Sequence, residues 1–140
     1  MSPQNLERSL ECNSFCKSIQ EASKHVHLVS LINKSGRVIE TKLRDDSLIS
    51  SLDHKDFEML FMQRTLQTSM IREHNDRLGM FNYTITIRGS FSEIILPFYD
   101  GIILVIVDSN IKMKNFTQKL SKLVYEFEKS CELEMLRNHA

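Results

Sequence analysis

Residues 81–108 read FNYTITIRGSFSEIILPFYDGIILVIVD, and this stretch decides the fold. Strong tight-turn signals, RGS at 88–90 and DG at 100–101, divide it into three β-prone segments. These segments predict strands over residues 81–88, 91–98 and 102–108. Because each turn is short, successive strands must run antiparallel, and the stretch is predicted to form a three-stranded meander.

Two further strands are predicted upstream. Residues 26–32 are nearly all apolar, and the turn cluster at 33–36 leads into a shorter strand over 37–43, which predicts a hairpin. The segments 26–32 and 102–107 are apolar on both faces, as covered central strands are, whereas 81–88 alternates apolar with polar residues. An antiparallel sheet of spatial order 2-1-5-4-3 accommodates both hairpins and this burial. The third strand, 81–88, then lies at an edge of the sheet.

Helical periodicity predicts three helices around the sheet. The first covers residues 5–22, with Phe15 and Ile19 on its apolar side. The second is capped by Asp53, with Asp56 three residues on, and runs to Leu78 before Gly79. The third begins at a capping-box-like Asn115 and Gln118. Its predicted core face consists of Phe116, Leu120, Leu123, Val124, Phe127 and Cys131. The class is therefore α/β (α+β), in the order αββαβββα.

Composition narrows the classes of function. A chain of 140 residues predicts one domain over 1–140, ordered from about 5 to 133. Eighteen basic residues balance eighteen acidic ones, so no charged surface is expected to attract nucleic acid. The longest apolar run, 102–107, is too short for a membrane span, and three cysteines without a dense pattern favour a reducing, cytoplasmic setting.

From about residue 5 to residue 131, the order of elements and strands resembles roadblock/LC7 domains and, more distantly, longin, profilin and PAS domains. The segment HKDFEMLFMQ at 54–63, with Leu66 and Met70, also resembles a family of small archaeal proteins that comes without a described activity. The roadblock resemblance implies homodimers or heterodimers, paired through the second helix and the neighbouring edge strand, that act as platforms or regulators for small GTPases and motors. It carries no catalytic motif and no cofactor.

The second helix is apolar on two sides. Phe57, Leu60, Phe61 and Ile71 gather on one side, which can face the sheet. Nearly opposite lies a second set, here called the methionine stripe, made of Met59, Met62, Leu66 and Met70. Either another helix of the chain covers this stripe, or a second subunit does. The poorly protected third strand favours the subunit, and its predicted contacts are Tyr83, Thr84 and Thr86.

Other constellations carry weaker signals. Cys12 and Cys16 are one helical turn apart and could join His25 or His27 in a zinc site. Both cysteines share the apolar side of their helix, however, where a free cysteine is an ordinary small hydrophobe. Glu73, His74 and Asp76 are interpreted as a solvated helix end, and all four glycines are explained by turns or a helix stop. We therefore predict no catalytic residue, no metal and no cofactor.

Two hypotheses remain for the function. The first is a homodimeric, non-catalytic scaffold or regulator, with a protein partner such as a small GTPase, that uses the methionine stripe and the third strand. The alternative is a PAS-like sensor that holds a small ligand between the sheet and a covering helix. Neither hypothesis involves nucleic acid or a membrane.

Overall fold

The computed structural model describes the backbone of residues 3–139 and the side chains of residues 10–47 and 49–132. A short 3-10 turn, Leu48–Ser51, precedes the second helix. The helices are α1 (Pro3–Ala22), α2 (His54–Arg72), α3 (Asn75–Leu78) and α4 (Met113–His139). The strands are β1 (Val26–Ile32), β2 (Val38–Leu43), β3 (Thr84–Ile87), β4 (Phe91–Phe98) and β5 (Gly101–Asp108).

The five strands form one antiparallel sheet of order β2-β1-β5-β4-β3, which confirms the predicted topology. At its centre Leu28 of β1 pairs with Ile106 of β5, and Leu104 pairs with Ile95 of β4. The mostly apolar strands β1 and β5 are central, as their composition predicts. Strands β2 and β3 form the two edges.

One face of the sheet carries α2. The hydrophobic core on this face of the sheet consists of eight buried residues: Leu28, Ile32, Ile49, Phe61, Ile95, Ile102, Leu104 and Ile106. Ile94, Leu96 and Phe98 of β4 alternate with Ile95 and so lie on the other face. There Phe15 of α1 stacks on Phe98 with ring centroids 6.4 Å apart, and α1 packs on β1 and β2. The sheet between the two layers is thus apolar on both faces.

The second helix begins as predicted and ends earlier. Asp53 accepts a hydrogen bond from the Asp56 backbone nitrogen at 2.8 Å, and the Asp56 carboxylate accepts one from the Asp53 nitrogen at 3.3 Å. The prediction of a helix to Leu78 is wrong, because α2 stops at Arg72 and α3 follows as a separate turn. Glu73 and His74 donate to carbonyls three residues back, the tightened geometry of a helix end.

Two other boundaries differ from the sequence prediction. Strand β3 starts at Thr84 and not at residue 81, so Tyr83 precedes it. Helix α4 starts at Met113, which places Asn115 inside the helix and makes the predicted capping box wrong.

The chain divides into two compact units, one ending at Ser109 and the other beginning at Asn110. The second unit contains α4, in which Phe116, Leu120 and Val124 of the predicted core face are buried and Leu123, Phe127 and Cys131 are half-buried. Among the helices that the structure describes, none is long and apolar enough to cross a membrane.

Candidate interaction surface

The inner side of α2 is less apolar than its sequence suggests. Phe61 is buried and Phe57 and Leu60 pack against the core, as predicted. Further along the helix the buried residues are Thr65 and Thr68, whose hydroxyls donate to the Phe61 and Arg64 carbonyls. Back-bonding of this kind lets a threonine lie on a core-facing side without leaving an unpaired hydroxyl.

Ile71, in the last turn of α2, is 40% exposed, more than the other three residues of the predicted sheet side. It is partly covered, because it lines a groove between α2 and the sheet.

The methionine stripe lies on the outer side of α2. Met59, Met62, Leu66 and Met70 are between 55% and 64% exposed. Among the described side chains up to Ser109, no other element buries these four residues. Four neighbouring apolar side chains on one exposed helix face form the kind of patch that protein–protein contacts use.

A groove links the stripe to the edge of the sheet. It lies between the second half of α2 and β3 and has a volume of about 560 Å³. Met70, Thr84 and Thr86 line it together with Ile71 and Ile95. The structure thus brings three of the predicted interface residues into one groove, while Met59, Met62, Leu66 and the exposed Tyr83 lie outside it.

Three further apolar residues that the sequence prediction did not single out are exposed between the end of α2 and the end of β3. Leu78 and Met80, on either side of Gly79, are 83% and 76% exposed, and Ile87 at the end of β3 is exposed as well. The signal was available, because two large apolar residues flank a glycine with φ of 97° at a helix stop, where polar residues are usual. They extend the apolar surface beyond α2.

Arg64 fixes α2 to the sheet below the groove. Its Nε and Nη2 lie 2.6 and 3.2 Å from the two carboxylate oxygens of Glu93, which also accepts from Arg88 Nε at 3.1 Å. Glu93 is 4% exposed. Burial alone would raise the pKa of this carboxyl, but the hydrogen bonds and charges of the two arginines outweigh it and hold the pKa below its ordinary value.

The histidines singled out in the sequence bind a carboxylate. His25 Nδ1 lies 3.0 Å from Asp108 Oδ2, and His27 Nε2 lies 2.7 Å from Asp108 Oδ1. His27 is the residue at which the β1–β5 register shifts, and its Nδ1 lies 2.7 Å from Ser47 Oγ. Desolvation would raise the pKa of Asp108, yet the contacts with His27 and His25 lower it on balance.

These contacts form a chain from Ser47 through His27 to Asp108, with the residue types and the order of contacts of a hydrolytic triad. Ser47 is buried, and its hydroxyl oxygen accepts from the Ile49 backbone as the cap of the 3-10 turn. A buried capping hydroxyl is not placed to attack a substrate. We interpret this cluster as structural.

The structure keeps the cysteines apart from the histidines. Cys16 is buried in the α1 layer, and burial, the Glu40 charge and Cys12 raise the pKa of its thiol to about 12. Within the described part of the chain, no three histidine, cysteine, aspartate or glutamate side chains form a cluster that could hold a metal ion. Cys12, Cys16, His25 and His27 therefore do not form the zinc site considered from the sequence.

Comparison with known proteins identifies the fold. No protein-family model and no curated protein matches the sequence. A roadblock/LC7 domain from Streptomyces avermitilis superimposes with a TM-score of 0.66 at 12% identity, covering 86% of this chain and 97% of that one. MglB from Myxococcus xanthus gives 0.67 at 16%, covering 86% and 94%. The chain has the roadblock/LC7 fold.

A third structure with the roadblock/LC7 fold, described as MglB with a tetrameric arrangement, matches with a TM-score of 0.58 at 13% identity. It covers 91% of this chain and 95% of its own. At such identities the likeness carries over the arrangement of elements and no individual residue. What the roadblock/LC7 fold of this chain does must therefore be argued from its own surface.

Proposed function

We propose that this chain is a non-catalytic regulatory or scaffold module that works by forming a homodimer through α2 and β3. The observation that carries the proposal is the exposed methionine stripe beside an open sheet edge. A symmetric dimer would bury both features at once, because the same helix face and the same edge strand of each copy meet across a two-fold axis.

The energetics favour this use of the surface. Large apolar side chains that are more than half exposed gain free energy when a partner removes them from water, about 25 cal/mol per Å² of apolar area. Methionine adapts its unbranched side chain to a facing surface and suits an interface. Pairing of β3 with its copy would also satisfy the outward backbone groups of the edge strand.

Two lines of support come from the fold. The tetrameric arrangement described for one MglB structure shows that a roadblock/LC7 fold can self-associate. The resemblance to roadblock domains further suggests a small GTPase as the regulated partner, in the cytoplasm.

Calorimetric titration with a small GTPase from the same cell, loaded with GDP or with GTP, tests whether the chain binds such a partner. Absence of binding in both nucleotide states would exclude that GTPase.

The dimer itself is tested by light scattering after size-exclusion chromatography. The unmodified chain is expected to show twice the monomer mass, and Met62→Asp with Met70→Asp is expected to show the monomer mass, because two carboxylates per copy would be buried in the interface. The matched control is Ile39→Asp with Tyr125→Asp, which adds the same charge at other exposed apolar positions.

The control variant is expected to remain a dimer. A monomeric unmodified chain at micromolar concentration would contradict the proposal. So would a methionine-stripe variant that keeps the mass of a dimer.

A further inference from the structure

A second cleft lies on the α2 face of the sheet, at the end opposite to β3. It lies between the β1–β2 hairpin and the first half of α2 and has a volume of about 1010 Å³. This is at the upper end of the range of small-molecule sites, roughly 300–1,000 Å³. Of the residues that line this cleft, only Met62 also belongs to the surface of the proposed homodimer, as a member of the methionine stripe.

The contact between the hairpin and the helix sets the direction of the cleft. Gly36, with φ of 82°, packs so closely on α2 that a Cβ there would lie 3.1 Å from Met62 Cα. The hairpin end of the cleft therefore lies beside Met62. His54, which lines the cleft too, lies about 12 Å away along the helix, at 1.5 Å per residue.

The lining is apolar along most of this length. Leu28 and Leu43 form the floor on the sheet, and Phe57 and Phe61 form the wall on α2. The lining residues of β2 and its turn extend from 37 to 43, roughly 20 Å at about 3.3 Å per residue. An elongated cleft with an apolar floor and wall can hold a linear hydrocarbon chain along its length.

Arg37 supplies a positive charge to the cleft lining. At the hairpin end the Arg37 guanidinium has no carboxylate within ion-pair distance among the side chains that the structure describes. The Glu58 carboxylate, which also lines the cleft, is paired with His54 at 2.9 Å. An anion entering the cleft therefore meets its complementary charge at Arg37.

A hydroxyl on β2 also lines the cleft. Ser30 is fully buried and its Oγ lies 2.8 Å from Oγ1 of the exposed Thr41, and either hydroxyl can be the donor of this hydrogen bond. In the orientation in which Ser30 donates, the hydrogen of the Thr41 hydroxyl is left for a ligand in the cleft.

We propose that this cleft binds a small amphipathic anion, one per chain, with its carboxylate at Arg37 and its hydrocarbon tail along Leu43 and Phe57. The alternative occupant of the cleft is a peptide that pairs with β2 as an additional strand. The pairing of β2 has a register shift that leaves Ile39 unmatched, and Lys42 lies on this edge. A bulge and a lysine both discourage strand addition, so the small molecule is favoured.

Isothermal titration of the full chain with decanoate and with decanol tests the site. Decanoate is expected to bind at one per chain and at least tenfold more tightly than decanol, because only the anion is attracted by Arg37. Arg37→Gln is expected to remove this difference by weakening decanoate at least tenfold while leaving decanol unchanged. Lys34→Gln, which removes a cation from the same turn but outside the cleft lining, is the matched control and should change neither affinity.

A second variant tests the tail. Thr41→Trp would fill the cleft and should weaken both ligands; if this variant fails to fold by circular dichroism, the Arg37 comparison still decides. The proposal is overturned if decanoate does not bind, if it binds no more tightly than decanol, or if Arg37→Gln leaves its affinity unchanged. It is also overturned if an alternating valine–glutamate peptide, and not decanoate, shifts the amide resonances of Thr41 and Leu43.

Discussion

Glu93 shows how much one buried side chain determines at the residue scale. Its carboxylate is held by Arg64 on α2 and Arg88 beyond β3, so it connects the helix to the edge of the sheet. Glu93→Gln is expected to destabilise the fold by about 3 kcal/mol, because it leaves the Arg64 guanidinium, whose side chain is only 12% exposed, without its counter-charge. Urea unfolding followed by circular dichroism measures the change.

The control for this prediction removes the orphaned charge. Adding Arg64→Met to Glu93→Gln should restore part of the lost stability, since no buried cation then lacks a partner. A double variant that is less stable than the sum of the two single changes would contradict the assigned role of the pair.

The cysteines give a second prediction at this scale. The pKa of the buried Cys16 thiol is raised to about 12, whereas Cys12 and Cys131 are half-buried. Because the thiolate is the reactive form, iodoacetamide at pH 8 should modify Cys16 more slowly than the other two. Peptide mapping by mass spectrometry measures this, and urea should abolish the protection. Equal rates in the native protein would show that Cys16 is not buried.

The free edge of β3 is tested at the scale of the element. Arg88 donates to the Phe91 carbonyl, so by alternation Thr84 and Thr86 bond to β4 while the nitrogens of Ile85 and Ile87 point outward. Ile87→Pro is expected to weaken the dimer at least tenfold and to leave the monomer folded, because it removes only an outward N–H. Sedimentation equilibrium measures the dimer constant.

Thr86→Pro is the matched change on the inward side. It removes a bond to β4, so it should lower the melting temperature of the fold, which Ile87→Pro should not. If Ile87→Pro leaves the dimer constant unchanged, β3 does not take part in pairing.

The elements also show what the sequence could and could not predict. The strands and their order followed from turn signals and from the contrast between the nearly all-apolar β1 and the alternating residues 81–88. The end of α2 at Arg72 did not, because helical periodicity continues to Leu78 and the break depends on local hydrogen bonds at Glu73 and His74. The burial of Thr65 and Thr68 was not predicted either, because it depends on hydrogen bonds from their hydroxyls to backbone carbonyls of the helix.

The candidate sites, too, could be predicted from the sequence only in part. Periodicity located the methionine stripe, and its exposure agrees with a surface role. The groove beside it and the cleft at Arg37 could not be predicted, because each depends on how α2 lies across the sheet. Glu93 pairs with Arg64 from 29 positions away, and Asp108 pairs with His27 from 81 positions away. No local sequence pattern reveals contacts over such separations.

At the scale of the whole molecule, two carboxylates set the response to acid. The pKa values of Glu93 and Asp108 are lower in the folded state than in the unfolded chain. Their stabilising contribution is therefore complete above the unfolded pKa values, about 4, and is lost as pH falls through the lower folded values. The free energy of unfolding from urea titrations should fall steeply below about pH 4 in the unmodified chain.

In Glu93→Gln with Asp108→Asn that acid-dependent loss should be smaller, although the variant is less stable at neutral pH. An equal loss in both proteins would show that other groups control the acid response.

The central claim is that two copies meet through α2 and β3, and the distance between spin labels tests it most directly. Labels at Leu66→Cys, with Cys12 and Cys131 replaced by serine, should lie close together, since packed helix axes are about 8–10 Å apart. Labels at Ile39→Cys on β2 should lie roughly 40 Å apart, because about nine strand spacings of ~4.8 Å separate the two β2 strands across a joined sheet. A short distance at Ile39 and a long one at Leu66, or no dipolar coupling at either site, would contradict the account.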